Sequence, residues 1–212
     1  MRFKCFILVA AVIFLAVSIN TLAQQEPVIE EFNCPENMEK IIVHQIVSEK
    51  RIKKEFCVDS YEYPNIAGKS PMTDVTWLQA KKLCTTVGKH LCSDFEWMES
   101  CQSPKRNNYP YGSTFEKSKC NVNSSVPNKI GENSECVSYY NIYDLAGNVE
   151  EWTAGKGIGT SGGNFDDGES AKCTKWRAQS IPKKHKTIGF RCCYSLEDQK
   201  FDPGASNEKT TP

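Results

Sequence analysis

The residues best suited to chemistry lie in one short stretch, Tyr143-Asp144-Leu145-Ala146-Gly147-Asn148-Val149-Glu150-Glu151-Trp152-Thr153. Asp144 and Glu151 flank a Gly147-Asn148 turn, so a bend there aims two carboxylates and the carbonyls between them at one point. A donor set made only of oxygen suits hard Ca²⁺ better than softer ions. The same spacing also spells strand, turn and strand, with Leu145, Val149 and Trp152 inward and the acids solvated. Softer metals would need the cysteines or histidines, yet no C-x-x-C and no H-x-x-x-H pair occurs. His44, His90 and His185 are the three histidines, read as surface or packing residues. The glycines from Gly155 to Gly163 do not follow a strand-to-helix pattern, which argues against a phosphate cradle.

The compartment decides what the cysteines do. Arg2 and Lys4, the apolar run Phe6 to Val17 and the small-residue site Thr21-Leu22-Ala23 together read as a secretory signal over residues 1–23. A spanning anchor needs about 20 apolar residues, and Ser18 and Asn20 break this run too early. The mature chain is then expected to be secreted or periplasmic, with no stable membrane anchor. Cleavage removes Cys5 and leaves ten of the eleven cysteines, an even number that reads as a disulfide framework in an exported chain. Twenty-six basic residues balance 26 acidic ones over 212 residues, so bulk charge predicts neither a nucleic-acid nor an anionic-membrane partner.

Two short helices and several strands must position the central stretch. Residues 24–50 read as a polar lead-in, with Lys40 to Val47 β-branched enough for an edge strand. Residues 56–63 alternate as a strand that ends at Pro64-Asn65. Thr76 and Gln79 make a capping box for a helix whose Trp77, Ala80, Cys84 and Val87 share a face, and Gly88 stops it. Ser93 and Glu96 cap a second helix with Trp97 and Cys101 one turn apart. Residues 103–140 read as loop held by bridges, with Cys120 and Cys136 able to close one of them and Asn123-Ser124-Ser125 forming a glycosylation sequon. Thr187 to Tyr194 reads as a closing apolar strand and residues 196–212 as a solvated tail, which leaves 51–195 as the domain.

Asp144-Leu145-Ala146-Gly147-Asn148-Val149-Glu150-Glu151-Trp152-Thr153 resembles the D-M-S-G-N-V-W-E-W-T signature of the sulfatase-modifying-factor, or formylglycine-generating-enzyme, family. Other pieces follow in that family's order: Phe56 to Glu62, Val75-Thr76-Trp77 with Ala80, Gly88 to Trp97, Tyr109 to Gly112, Gly162 to Phe165 and Ile188 to Cys192. The resemblance implies an irregular α+β fold related to C-type lectins, with two short helices, short strands and several disulfides. It implies that Cys84 is bridged to Cys192 and Cys101 to Cys173. Cys193 then needs another mate, for which Cys92 is the choice. It also implies structural Ca²⁺ on the Asp144 side chain, the Gly147 and Val149 carbonyls and the Glu151 side chain. A second Ca²⁺ would use Asn121 and Val122, although the chain is short where its other ligands should fall.

Family enzymes oxidise a substrate cysteine to formylglycine with Cu(I) held by two thiolates after the Gly-Gly motif. In this chain the matching positions after Gly162-Gly163 are Asp167 and, counted without gaps, Lys172, neither a soft donor. The resemblance therefore implies the family's frame without its copper centre. A binding or structural module is expected, with an extracytoplasmic protein or peptide segment docking near Trp152, Asn164, Phe165 and Arg191. Two rivals stay open: an oxidoreductase or other enzyme rebuilt around Asp166, Asp167 and Cys173, and a Ca²⁺-dependent sugar binder.

Overall fold

A computed structural model describes residues 32–155 and 157–196. The signal-like residues 1–23 and the tail from 197 lie outside the described residues, as does Cys5. No helix among the described residues is long and apolar enough to cross a membrane.

The chain begins with a long hairpin, β1 (Met38–Val47) and β2 (Lys50–Asp59). Its antiparallel register runs from Met38 opposite Asp59 to Val47 opposite Lys50. Much of the stretch read as lead-in thus belongs to the sheet. Its turn is Ser48-Glu49 with both φ positive, at 49° and 65°, the left-handed pair a two-residue hairpin turn requires. Helix α1 (Trp77–Thr86) and helix α2 (Asp94–Gln102) start where their capping boxes lie, at Thr76 with Gln79 and at Ser93 with Glu96. Each box satisfies backbone N–H groups that a first helical turn leaves without partners. Ala80 and Cys84 of α1 are buried, whereas Val87 is 52% exposed because the helix has already ended there.

Strand β3 (His90–Leu91) lies between the two helices, and the chain then runs through residues 103–149 with only isolated bridges. Three short strands follow, β4 (Glu150–Thr153), β5 (Gly159–Ser161) and β6 (Trp176–Ala178). The closing segment, expected as one strand, is two: β7 (Ile188–Phe190) pairs parallel to β4, while β8 (Cys192–Tyr194) joins β2 and β3. The result is two four-stranded sheets, ordered β1-β2-β8-β3 and β6-β5-β4-β7. Arg191 is the residue at which the chain leaves one sheet for the other.

Five disulfides use all ten cysteines from Cys34 to Cys193: Cys34–Cys57, Cys84–Cys192, Cys92–Cys193, Cys101–Cys173 and Cys120–Cys136. The first helix is thereby fixed to the closing strands and the second to the loop before β6. Such a density of bridges belongs to a domain that folds outside the reducing cytoplasm. The two larger of four apolar clusters among the described residues fill most of the core. Trp97, Phe56, Val58, Ile142 and Leu145 pack around Cys101–Cys173, and Trp152, Ala80, Leu91, Ile188 and Phe190 around Cys84–Cys192.

Candidate functional site

The central loop is anchored by charge rather than left in water. Glu151 is 1% exposed and Arg191 is fully buried. Arg191 Nε donates to Glu151 Oε2 at 2.7 Å and Nη2 to Oε1 at 2.6 Å, a two-pronged pair that also takes the Trp97 indole N–H on Oε2 at 2.8 Å. The remaining guanidinium donors go to the Asp59 carbonyl at 3.0 Å and the Tyr143 carbonyl at 2.8 Å. One side chain therefore ties β2, the central loop, β4 and the switch between the sheets.

Next to this pair, Glu62 is also buried. It accepts from Asn148 Nδ2 at 2.7 Å and from the Val149 N–H at 3.2 Å. Burial, with the charges of Asp144 and Glu151 close by, holds its carboxyl well above the usual carboxylate range. Asp144 sits at φ 59°, accepts from the Gly131 N–H at 2.7 Å, and is pushed up to about 7 by burial. Gly147 has φ 81°, and a Cβ there would come within 2.3 Å of the Asn121 carbonyl oxygen, so only glycine fits. Asn148 is the hub: its N–H donates to the Asn121 carbonyl, and its Oδ1 accepts from Asn121 Nδ2 and the Asn128 N–H.

These residues fit a hard divalent cation in part. Three of the buried carboxylates, Glu62, Asp144 and Glu151, lie close enough to act on one another around the single buried guanidinium of Arg191. Excess buried negative charge of this kind is costly unless protons or a cation offset it. Asp144 and the Gly147 and Val149 carbonyls offer oxygen only, the donors Ca²⁺ takes. Glu151 differs, because both of its oxygens already serve Arg191 and Trp97. Asn121 and Val122, expected at a second cation, also brace the loop: the Val122 carbonyl accepts from the Gly168 N–H at 2.8 Å and Asn121 Nδ2 donates to the Val126 carbonyl.

The surroundings of Asp167 and Cys173 are equally well defined. Asp167 Oδ1 pairs with Lys175 at 2.7 Å and Arg177 at 2.6 Å, and Oδ2 accepts from the Asn164 N–H at 2.8 Å. Burial would raise its carboxyl, but these hydrogen bonds and the two cations outweigh burial and hold it below the usual range. Cys173 is 3% exposed and bonded to Cys101, so it offers no thiolate. Among the described residues, one trio of His, Cys, Asp and Glu ligand atoms comes within 4.8 Å, His90, Glu96 and Cys193, and Cys193 is closed in its disulfide. His44 is exposed on β1, and His185 lies 2.8 Å from the Thr187 hydroxyl.

Beside Asp167 opens a cleft of ≈ 530 Å³ lined by Ser124, Asn164, Phe165, Asp166, Arg177 and Lys186, among others. Two of the four residues expected to line a docking groove are here, Asn164 and Phe165. The other two are corrected: Trp152 and Arg191 are wholly buried. Trp152 packs between α1 and β7 with its indole N–H on the Val75 carbonyl at 2.9 Å, and Arg191 is occupied by Glu151. Sequence reasoning passed over Lys175 and Arg177, which hold Asp167 in ion pairs; only their closeness to Asp167 in sequence could have suggested them.

A family model for the sulfatase-modifying factor enzyme 1-like domain matches residues 52–196. The chain belongs to this family. Among curated relatives, serine/threonine-protein kinase pkn1 of Chlamydia caviae is 37% identical over 89 residues, 40% of this chain and 13% of that protein. The inactive C-alpha-formylglycine-generating enzyme 2 of Mus musculus is 26% identical over 159 residues, 62% of this chain and 51% of that one. The chain thus spans about half or less of the length of these relatives. In fold it is similar to Treponema denticola variable protein 1, with TM-score 0.59, 13% identity, 74% of this chain and 94% of that chain covered. The irregular α+β fold related to formylglycine-generating enzymes is thereby established.

Proposed function

We propose that this protein is a secreted, non-catalytic member of the family, a calcium- and disulfide-stabilised module that binds an extracytoplasmic protein or peptide segment in the cleft beside Phe165. The observation that carries this reading is Asp167. Where the active enzymes place a copper-binding thiolate, this chain has a carboxylate held by Lys175 and Arg177, and Cys173 nearby is closed onto Cys101. Cu(I) requires soft donors that these residues do not supply. The mouse relative named as inactive supports the same reading. The cleft keeps an apolar floor in Phe165 and both signs of charge on its walls, in Asp166, Arg177 and Lys186, which suits a peptide carrying an apolar side chain beside charged ones. Incubation with Cu(I) and a cysteine peptide that the active enzymes oxidise should return the peptide with its thiol intact. Formylglycine in the product would overturn the proposal.

Calcium would be held by Asp144 and the Gly147 and Val149 carbonyls, where it would neutralise buried carboxylate charge and stiffen the loop. Added Ca²⁺ at a hundred times its dissociation constant should stabilise the fold by about 2.7 kcal/mol, read as a rise in Tm over the EGTA-treated protein. Asp144→Asn, which keeps an oxygen for the Gly131 N–H, should lose most of that rise. An equal response in both proteins would remove the loop as the calcium site.

A further inference from the structure

The cleft and the buried charges leave one large feature unused, the outer half of the β1–β2 hairpin. Pairing of β2 with β8 stops at Cys57 and Val58, so residues 42–47 and 50–55 have no third strand beside them among the described residues. At about 3.4 Å per residue, this arm extends on the order of 20 Å past the last shared rung. Four of its exposed side chains are large and apolar: Ile46 81%, Val47 48%, Ile42 44% and Ile52 40%. The register puts Ile42 and Ile46 on one face and Val47 and Ile52 on the other, so no single partner face in this domain could cover them. The arm is also basic. Lys50, Arg51, Lys53 and Lys54 stand against Glu49 and Glu55 between residues 42 and 55, in a chain whose total charge is zero. Lys53 is paired with Glu55 and Lys54 lies 4.8 Å over the Phe95 ring, while Lys50 and Arg51 at the tip meet no carboxylate among the described residues.

We propose that the hairpin tip docks the protein onto an anionic phospholipid surface. Headgroup phosphates would meet Lys50, Arg51 and Lys53, while Ile46, Val47 and Ile52 enter the interfacial apolar layer. Such a surface accommodates apolar side chains on both faces of the arm at once, which a soluble polyanion cannot do. The unpaired backbone groups on the outer edges of β1 and β2 stay at headgroup depth, where water reaches them. The lysines also protect the open edges from pairing with other strands, but that role alone predicts no lipid binding.

The test is co-sedimentation of the purified, oxidised protein with vesicles of phosphatidylcholine, with and without phosphatidylglycerol. Binding is expected only to the anionic vesicles and should weaken as salt rises. Arg51→Ser with Lys53→Ser should reduce partitioning by about thirtyfold, and Ile46→Ser with Val47→Ser by about tenfold. Because these side chains are exposed, the variants should keep the parent's Tm, which separates lost docking from lost fold. The proposal is overturned if the parent does not bind, if both variants bind as the parent does, or if the arm binds soluble polyanions such as heparin but not vesicles.

Discussion

Arg191→Met should destabilise the domain by roughly 3–5 kcal/mol, the usual cost of stranding the partner of a buried ion pair. The variant leaves Glu151 buried with only the Trp97 indole on its carboxylate, and takes donors from the Asp59 and Tyr143 carbonyls. A loss of that size approaches the whole stability of many domains, so the variant is expected to fold in poor yield and to unfold at low urea. The informative comparison is Arg191→Met with Glu151→Gln. Glutamine keeps an acceptor for Trp97 and removes the stranded charge, so the double variant should regain about half of the loss. The two carbonyls remain without their donors, at about 1–3 kcal/mol each. Equal losses in single and double variants would show that the charge pair does not organise the switch between the sheets.

Removal of the Cys84–Cys192 bridge should cost nearly as much. Its two residues are 108 apart in sequence, and the chain-entropy account assigns about 4.7 kcal/mol to a loop of that order. Cys120–Cys136, with a separation of 16, should cost about 3 kcal/mol. Paired alanine substitutions avoid leaving free thiols in the core. Urea denaturation of the two variants should therefore rank the long bridge above the short one. The reverse order would mean that local packing, not closure of the unfolded chain, sets the contribution of these bridges.

Features with a local cause were legible in the sequence. Thr76 with Gln79 and Ser93 with Glu96 mark helix starts because a capping box involves four consecutive positions and needs no distant partner. The Cys84–Cys192 and Cys101–Cys173 pairs came from matching motif order, and the structure has both. Features that depend on long-range pairing were hidden. Arg191 sits inside an apolar run that reads as one strand, and nothing nearby announces that its partner is Glu151, 40 positions earlier. The resemblance puts Trp152 at the docking groove while the strand spacing turns it inward, and the structure follows the spacing, with the indole N–H on the Val75 carbonyl inside the core. The hairpin was half seen, because Ser48-Glu49 carries none of the Gly or Asn that usually signals a left-handed turn. Asn148 and Glu62 lay in the matched motifs, yet their joining across 86 positions was not readable from either.

Thiol mapping reads most directly whether the frame retains its bridges and lacks a reactive sulfur pair. The purified protein, folded in an oxidising compartment, would be denatured without reductant, alkylated, digested and mapped by mass, beside a measurement of bound copper after Cu(I) exposure and dialysis. No alkylated cysteine from Cys34 to Cys193 and no stoichiometric copper are predicted. Two alkylated cysteines in that range, together with one copper per chain, would contradict the account.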